Sequence, residues 1–164
     1  MIVVADASPI NYLILIGHID VLRRLYERVA MPEGVIRELR ATGSPPEVQT
    51  WAARPPEWIE THRVEVPPDA GLEAVDAGEA EAIVLAERMR PDVLLVIDDR
   101  DGRREAARRS IPTTGTLGVL NDAARRGMLD LADALGRLSR TTFRASPALL
   151  QELLDRAQRR PQDS

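Results

Sequence analysis

Two short apolar runs, residues 2–5 and 93–97, each give way at once to aspartate and then to a helical pattern. Runs of that length suit buried strands better than helices. A strand followed by a helix, repeated along a chain, is what a parallel sheet requires, because its strands are joined by crossovers that cover the sheet faces. The rest of the chain keeps the alternation. Ser8 and Pro9 mark a helix start, since a serine hydroxyl caps free amides and proline is tolerated in the first turn. Helical spacing then covers 10–16 and 19–26, and Pro32 opens another helix to about residue 40. Residues 43–46 break the pattern, 48–53 make a turn or two, and 58–66 read as extended. A helix over 77–88 precedes the strand at 93–97. A helix over 103–109, an extended piece at 111–113, and helices over 117–126, 129–138 and 147–159 complete the chain. The expected fold is α/β, a three-layer sandwich with a central, mainly parallel sheet.

No fixed-period repeat is visible, and 164 residues suit one core-bearing domain. The domain is expected over 1–145. Residues 146–164 form an amphipathic helix, with Leu149, Leu150, Leu153 and Leu154 opposite Arg156, Arg159 and Arg160, and then a frayed tail; the helix packs on the domain or on a partner. Apolar runs such as 13–16 fall far short of the ~20 residues of a membrane span, so no membrane association is expected. The run at 13–16 is wider than one helical face, which fits either a buried helix or a partner surface. No basic leader precedes Ile2, and cysteine is absent. Disulfides, thiolate metal sites and cysteine nucleophiles are thereby excluded, and a cytoplasmic protein is expected. His18 and His62 are too far apart in sequence to suggest a zinc site. Every basic residue is arginine, which removes Schiff-base and phosphate-loop lysine chemistry. Acids and arginines number 8 and 7 over residues 1–64, 11 and 3 over 65–101, and 7 and 12 over 102–164. An acidic middle before a basic last third suits a cation-loaded site beside a polyanion-binding surface, or simply uneven solvated faces.

In open α/β sheets the site lies at the carboxyl ends of the strands. Asp6 directly follows the first strand; Asp98 and Asp99 directly follow the 93–97 run, with Asp101 next. All belong on one rim, where local helix capping is the competing role for each. On the 77–88 helix, Ala77, Glu81, Val84 and Leu85 share a face, so Glu81 interrupts an apolar stripe and needs an arginine, a proton or a cation. Glu79, on the far side of that helix, is assigned to the surface or to a supporting position. Glu38 stands beside the stripe formed by Val35, Ile36 and Leu39. Converging carboxylates repel one another unless cations lie between them, and Mg²⁺ or Mn²⁺ is the oxygen-seeking choice.

The order of these motifs resembles the PIN-domain ribonucleases, in particular the branch similar to VapC-type toxins that is often recorded as a domain of unknown function. The matching pieces are Val3-Val4-Ala5-Asp6-Ala7-Ser8-Pro9, then Pro32 to Leu39 with Glu38, then Asp76-Ala77-Gly78-Glu79-Ala80-Glu81. Ile97-Asp98-Asp99-Arg100-Asp101-Gly102-Arg103 and Thr114-Gly115-Thr116-Leu117-Gly118 follow. The resemblance implies a Mg²⁺- or Mn²⁺-dependent endoribonuclease, the toxin of a toxin–antitoxin pair. Its catalytic acids fall on Asp6, Glu38, Glu81 and the Asp98/Asp99 pair; Asp6, Glu81 and one or both of that pair are the metal ligands. Ser8, Glu79, Asp101, Thr114 and Thr116 take supporting positions around them. The family's usual hydroxyl residue before the fourth acid is Ile97 here, so Thr114 or Thr116 supplies a hydroxyl or caps the helix from Leu117. Arg100, Arg103, Arg104 and Arg108, with Arg109 beyond, are placed to hold RNA phosphates. Aromatic residues make up 3% of the chain, so stacking contributes little to RNA binding. A homodimer and a cognate antitoxin are the implied protein partners. The alternatives are a non-catalytic RNA- or protein-binding module on the same fold, and a receiver-type phosphotransfer domain, which the lack of lysine disfavours.

Overall fold

A computed structural model of the chain describes residues 1–159. The elements run β1 (Ile2–Ala5), α1 (Ala7–Leu15), α2 (Val21–Leu25), β2 (Arg28–Pro32), α3 (Glu33–Arg40), α4 (Pro46–Ala53) and β3 (Ile59–His62). They continue with α5 (Ala77–Arg88), β4 (Val93–Val96), α6 (Arg100–Arg108), β5 (Thr113–Thr114), α7 (Thr116–Arg125), α8 (Leu131–Ser139) and α9 (Pro147–Arg159). The strands form one sheet in the order β3-β2-β1-β4-β5, and every pairing is parallel. The α/β three-layer sandwich is therefore as expected, with a sheet that is wholly rather than mainly parallel.

Each central strand is buried on both faces, and side chains alternate between two cores. Val3 and Ala5 of β1 join Ile10, Leu13, Val35, Leu120 and Leu135 on one side, where the helices other than α5 and α6 pack. Ile2 and Val4 join Leu95, Ile97, Ile83 and Ala106 on the other, beneath α5 and α6. The apolar run at 13–16 divides accordingly: Leu13 and Ile16 are buried, while Ile14 and Leu15 are half-buried against the first core. In α9, Leu150, Leu153 and Leu154 are half-buried against that core and no residue is fully buried. The expected frayed tail and Arg160 lie outside the described residues. Among those described, no helix is long and apolar enough to cross a membrane.

Three local expectations are corrected. Strand β2 has no counterpart in the sequence reading, because its apolar stretch is brief and ends in Pro32, which also precedes α3. α6 begins at Arg100 rather than Arg103, since Asp99 caps it by accepting from the amides of Asp101 (3.0 Å) and Gly102 (3.1 Å). Ser8 does not cap α1; the helix starts at Ala7 without a side-chain cap, and the Ser8 hydroxyl is used elsewhere.

Candidate active site at the carboxyl ends of the strands

β1 and β4 are neighbours at the centre of the sheet, yet the chain leaves β1 toward β2 and leaves β4 toward β5. The connections diverge there and leave a crevice beyond the strand ends. Asp6 and Asp98 stand at those two strand ends, and the Asp6 amide ties the strands by donating to the Val96 carbonyl at 2.9 Å.

Asp6 is 4% exposed, and its Oδ1 is buried without a hydrogen-bond partner. A carboxylate in that setting resists ionisation. Burial pushes its pKa from 3.8 up to about 7, against the opposing pull of the Ala7 amide; the charges of Asp76, Glu38 and Asp98 push it further up.

Asp98 has the opposite surroundings. Its Oδ2 accepts from the Ser8 hydroxyl at 2.9 Å and from the Thr116 hydroxyl at 2.7 Å, and its Oδ1 accepts from the Thr116 amide at 2.7 Å. Thr116 is wholly buried and is the first residue of α7, so Asp98 satisfies a free amide at that helix start from across the sheet. Gly115 is required for the approach: a Cβ there would lie 2.7 Å from Asp98 Oδ1. The supporting hydroxyls are thus those of Ser8 and Thr116, whereas Thr114 packs on Gly118 at the base of α7. The expected cap of the helix near Leu117 by a threonine side chain is not formed.

The start of α5 brings in further acids. Asp76 and Glu79 form a reciprocal capping box, with the Glu79 amide donating to Asp76 Oδ1 at 2.8 Å. Glu79 is 8% exposed, which corrects the surface alternative expected for it and leaves the supporting one. Burial, then Asp76, Asp6 and Asp99, push its pKa up to about 8. Glu38, on an exposed position of α3, lays its carboxylate over Gly78, where a Cβ would come within 2.8 Å of Oε2. Its pKa is raised by burial of the carboxyl and by Asp76. Asp6, Glu38, Asp76, Glu79 and Asp98 therefore form one electrostatic neighbourhood.

Glu81 reaches the same acids from the Gly34 side. Its Oε1 accepts from the Gly34 amide at 3.3 Å, and it lines a hollow between the starts of α3 and α5 together with Arg37, Glu38 and Asp76. α5 is buried almost all round, from Gly78 to Ala86 with Glu81 alone half-buried, so the expected apolar stripe does not single out one face. Asp76 escaped the sequence reading as a site residue; the Asp-x-x-Glu capping-box spacing at 76–79 is the signal that marks both it and Glu79 as lying at a helix start. Asp99 is exposed and its Oδ2 is engaged in capping α6, while Asp101 is exposed in the first turn.

Of the arginines, Arg100, Arg103, Arg104 and Arg108 are exposed on α6, and Arg108 pairs with Glu105 at 3.2 Å. Arg109 is not available to RNA: it pairs with Glu87 at 2.6 Å and Glu105 at 3.0 Å and donates to the Ala70 carbonyl.

Among the described residues, no three carboxylates or imidazoles are placed closely enough to hold a metal ion between them. The donor chemistry nevertheless fits a hard divalent cation. Every group is a carboxylate, Asp6 Oδ1 lacks a partner, and burial followed by mutual repulsion raises the pKa of Asp6 and Glu79. A family model described as a PIN domain, DUF3368, matches residues 2–159. No curated protein matches the chain.

Proposed function

The chain belongs to the PIN-domain family, whose members are of nuclease type, and from that premise we propose that it is a metal-dependent endoribonuclease. The observation that carries the reading is the buried Asp6, with an unpartnered oxygen, facing the charges of Glu38, Asp76 and Asp98 where the sheet connections diverge. Asp6, Asp98, Glu79 and Glu38 would hold Mg²⁺ or Mn²⁺, with Glu81 and Asp99 flanking them. The ion, when bound, lowers the pKa of a water and offsets charge on the phosphodiester. Ser8 and Thr116 fix the orientation of Asp98 so that its carboxylate need not reorganise. Without an ion, Asp6 holds its proton up to a pH of about 7. Arg103 and Arg104, exposed on α6 beside the acids, bind the RNA backbone.

Hydrolysis of labelled single-stranded RNA by the purified protein with Mn²⁺ tests this. Cleavage is expected, with loss on chelation and in Asp6→Asn; equal cleavage by that variant would remove Asp6 from the site. Arg103→Ala with Arg104→Ala should weaken RNA binding and flatten its salt dependence. The spacing of the acids favours a second reading, a non-catalytic RNA- or protein-binding module. That module binds RNA but yields no Mn²⁺-dependent product.

The resemblance to VapC-type toxins supports a cytoplasmic toxin, working as a homodimer and restrained by a cognate antitoxin. The half-buried Ile14 and Leu15 offer apolar surface for such contacts. Growth arrest on expression, relieved in Asp6→Asn, is the outcome expected of a toxin.

A further inference from the structure

On the β5 side of Asp98 a cleft of about 420 Å³ opens between α7 and the chain entering α9. Asp98, Arg103 and Asn121 line it on the polar side, and Phe143, Leu149 and Leu153 on the apolar side, with Arg144 also contributing. Leu149 is 41% exposed, and only Met1 accompanies it among the exposed large hydrophobic side chains of the described residues. Phe143 is the chain's single phenylalanine. Its ring is held edge-on against Tyr12, with centroids 5.0 Å apart, and the Tyr12 hydroxyl is in turn 2.9 Å from the Thr142 hydroxyl. Neither Arg103 nor Arg144 pairs with a carboxylate among the described residues.

A cleft with an apolar wall, two unpaired guanidinium groups and a carboxamide suits a ligand that is at once flat, anionic and capable of hydrogen bonding. Its volume falls within the ~300 to 1,000 Å³ common for small-molecule sites. We infer that this cleft seats one nucleotide of an RNA chain, the one beside the bond that is cut. The base lies along Leu149, Leu153 and Phe143, Asn121 bonds its edge, and Arg103 and Arg144 take the adjoining phosphates. The inference rests on the ribonuclease reading for the position of the cut, and on the cleft itself for the nucleotide. It gives the segment from Phe143 through the first turns of α9 a role in choosing substrate, since those residues form the wall against which a base is read.

Two measurements on the full-length protein test it. In the first, the metal-free protein is titrated with AMP, GMP, CMP, UMP and, as a base-free control, ribose 5-phosphate, followed by amide NMR shifts. At least one nucleotide should shift Asn121 and Phe143 and bind about fivefold or more tightly than ribose 5-phosphate. The gain should vanish in Leu149→Asp, a change at an exposed position that leaves the fold intact. Equal binding of ribose 5-phosphate, or shifts confined to other regions, would overturn the inference. In the second, a short RNA carries an abasic nucleotide at each position in turn, with Mn²⁺ present. An abasic residue next to the cut bond should raise KM about tenfold in the wild type, and should cost nothing further in Leu149→Asp. A penalty undiminished in that variant rejects the cleft. Nucleotide binding at Asn121 and Phe143 without cleavage of any RNA supports the cleft and defeats the ribonuclease reading; cleavage with those signals silent does the reverse.

Discussion

Asp6 and Asp98 occupy equivalent places, each just past a central parallel strand, and their surroundings are opposite. Asp98 is met by the Ser8 hydroxyl and by the amide and hydroxyl of Thr116. Asp6 is buried with one oxygen unanswered. The same residue type at the same point of a repeated strand–helix unit thus serves two ends. One carboxylate is oriented by the protein alone, and the other is left in need of a proton or a cation. Burial without compensation is costly, so the Asp6 arrangement is a stability cost borne at the site.

The sharpest way to break that contrast is to neutralise each side. Asp6→Asn should lower Mn²⁺-dependent RNA cleavage by at least about a hundredfold, while thermal melting of the metal-free variant at pH 8 shows a protein no less stable than the wild type. A clear loss of stability there would mean that Asp6 is satisfied in a way the contrast denies. Thr116→Val keeps the shape and removes the hydroxyl from Asp98; turnover should fall by about ten- to a hundredfold, and undiminished turnover would show that orientation by Thr116 is dispensable.

The stability difference between wild type and Asp6→Asn should itself depend on pH. Between 3.8 and about 7 the folded chain keeps an Asp6 proton that the unfolded chain has released. The unfolded state binds fewer protons there, so wild-type stability falls relative to the variant as pH rises through that window, then levels off. The whole effect is on the order of 4 kcal/mol at most. Denaturant melts at pH 4, 6 and 8 measure it, and a difference that stays constant across them would contradict the burial of an uncompensated carboxyl. Excess Mn²⁺ at pH 8 should raise the wild-type melting temperature by roughly 5 to 10 degrees through preferential binding to the folded state, as roughly 2 to 3 kcal/mol of linkage implies at a hundredfold excess over Kd; Asp6→Asn should gain less. The smallest effect separates the acids of α5. Glu79→Gln should reduce cleavage by roughly tenfold or more and Glu81→Gln by less than about threefold, because of the two only Glu79 is pushed by the charge of Asp6, whereas Glu81 meets Glu38 and Asp76 in the hollow beside Gly34; the reverse order would centre the site on that hollow.

Much of the architecture was legible because parallel strands buried on both faces read as short unbroken apolar runs. The 93–97 run and the aspartates after it therefore placed the rim correctly. β2 was not legible: Val29, Ala30 and Met31 make too brief a run, and Pro32 reads equally as the start of α3. The supporting hydroxyls were hidden for a different reason. Ser8 and Thr116 sit where local capping is the natural expectation, but their common partner, Asp98, is 90 residues from one and 18 from the other. Glu79 reads as a surface or supporting acid rather than a buried one because the face of a helix predicts burial only when another face meets water, and α5 has almost none.

The seating of Asp98 by Thr116 also orders events during synthesis. Asp6 is translated well before the threonine whose hydroxyl steadies its counterpart, which lies at the edge strand's exit. A polypeptide that stops between Asp98 and this threonine carries both aspartates yet lacks the clasp, so the second carboxylate is left unsteadied until Thr116 has been added.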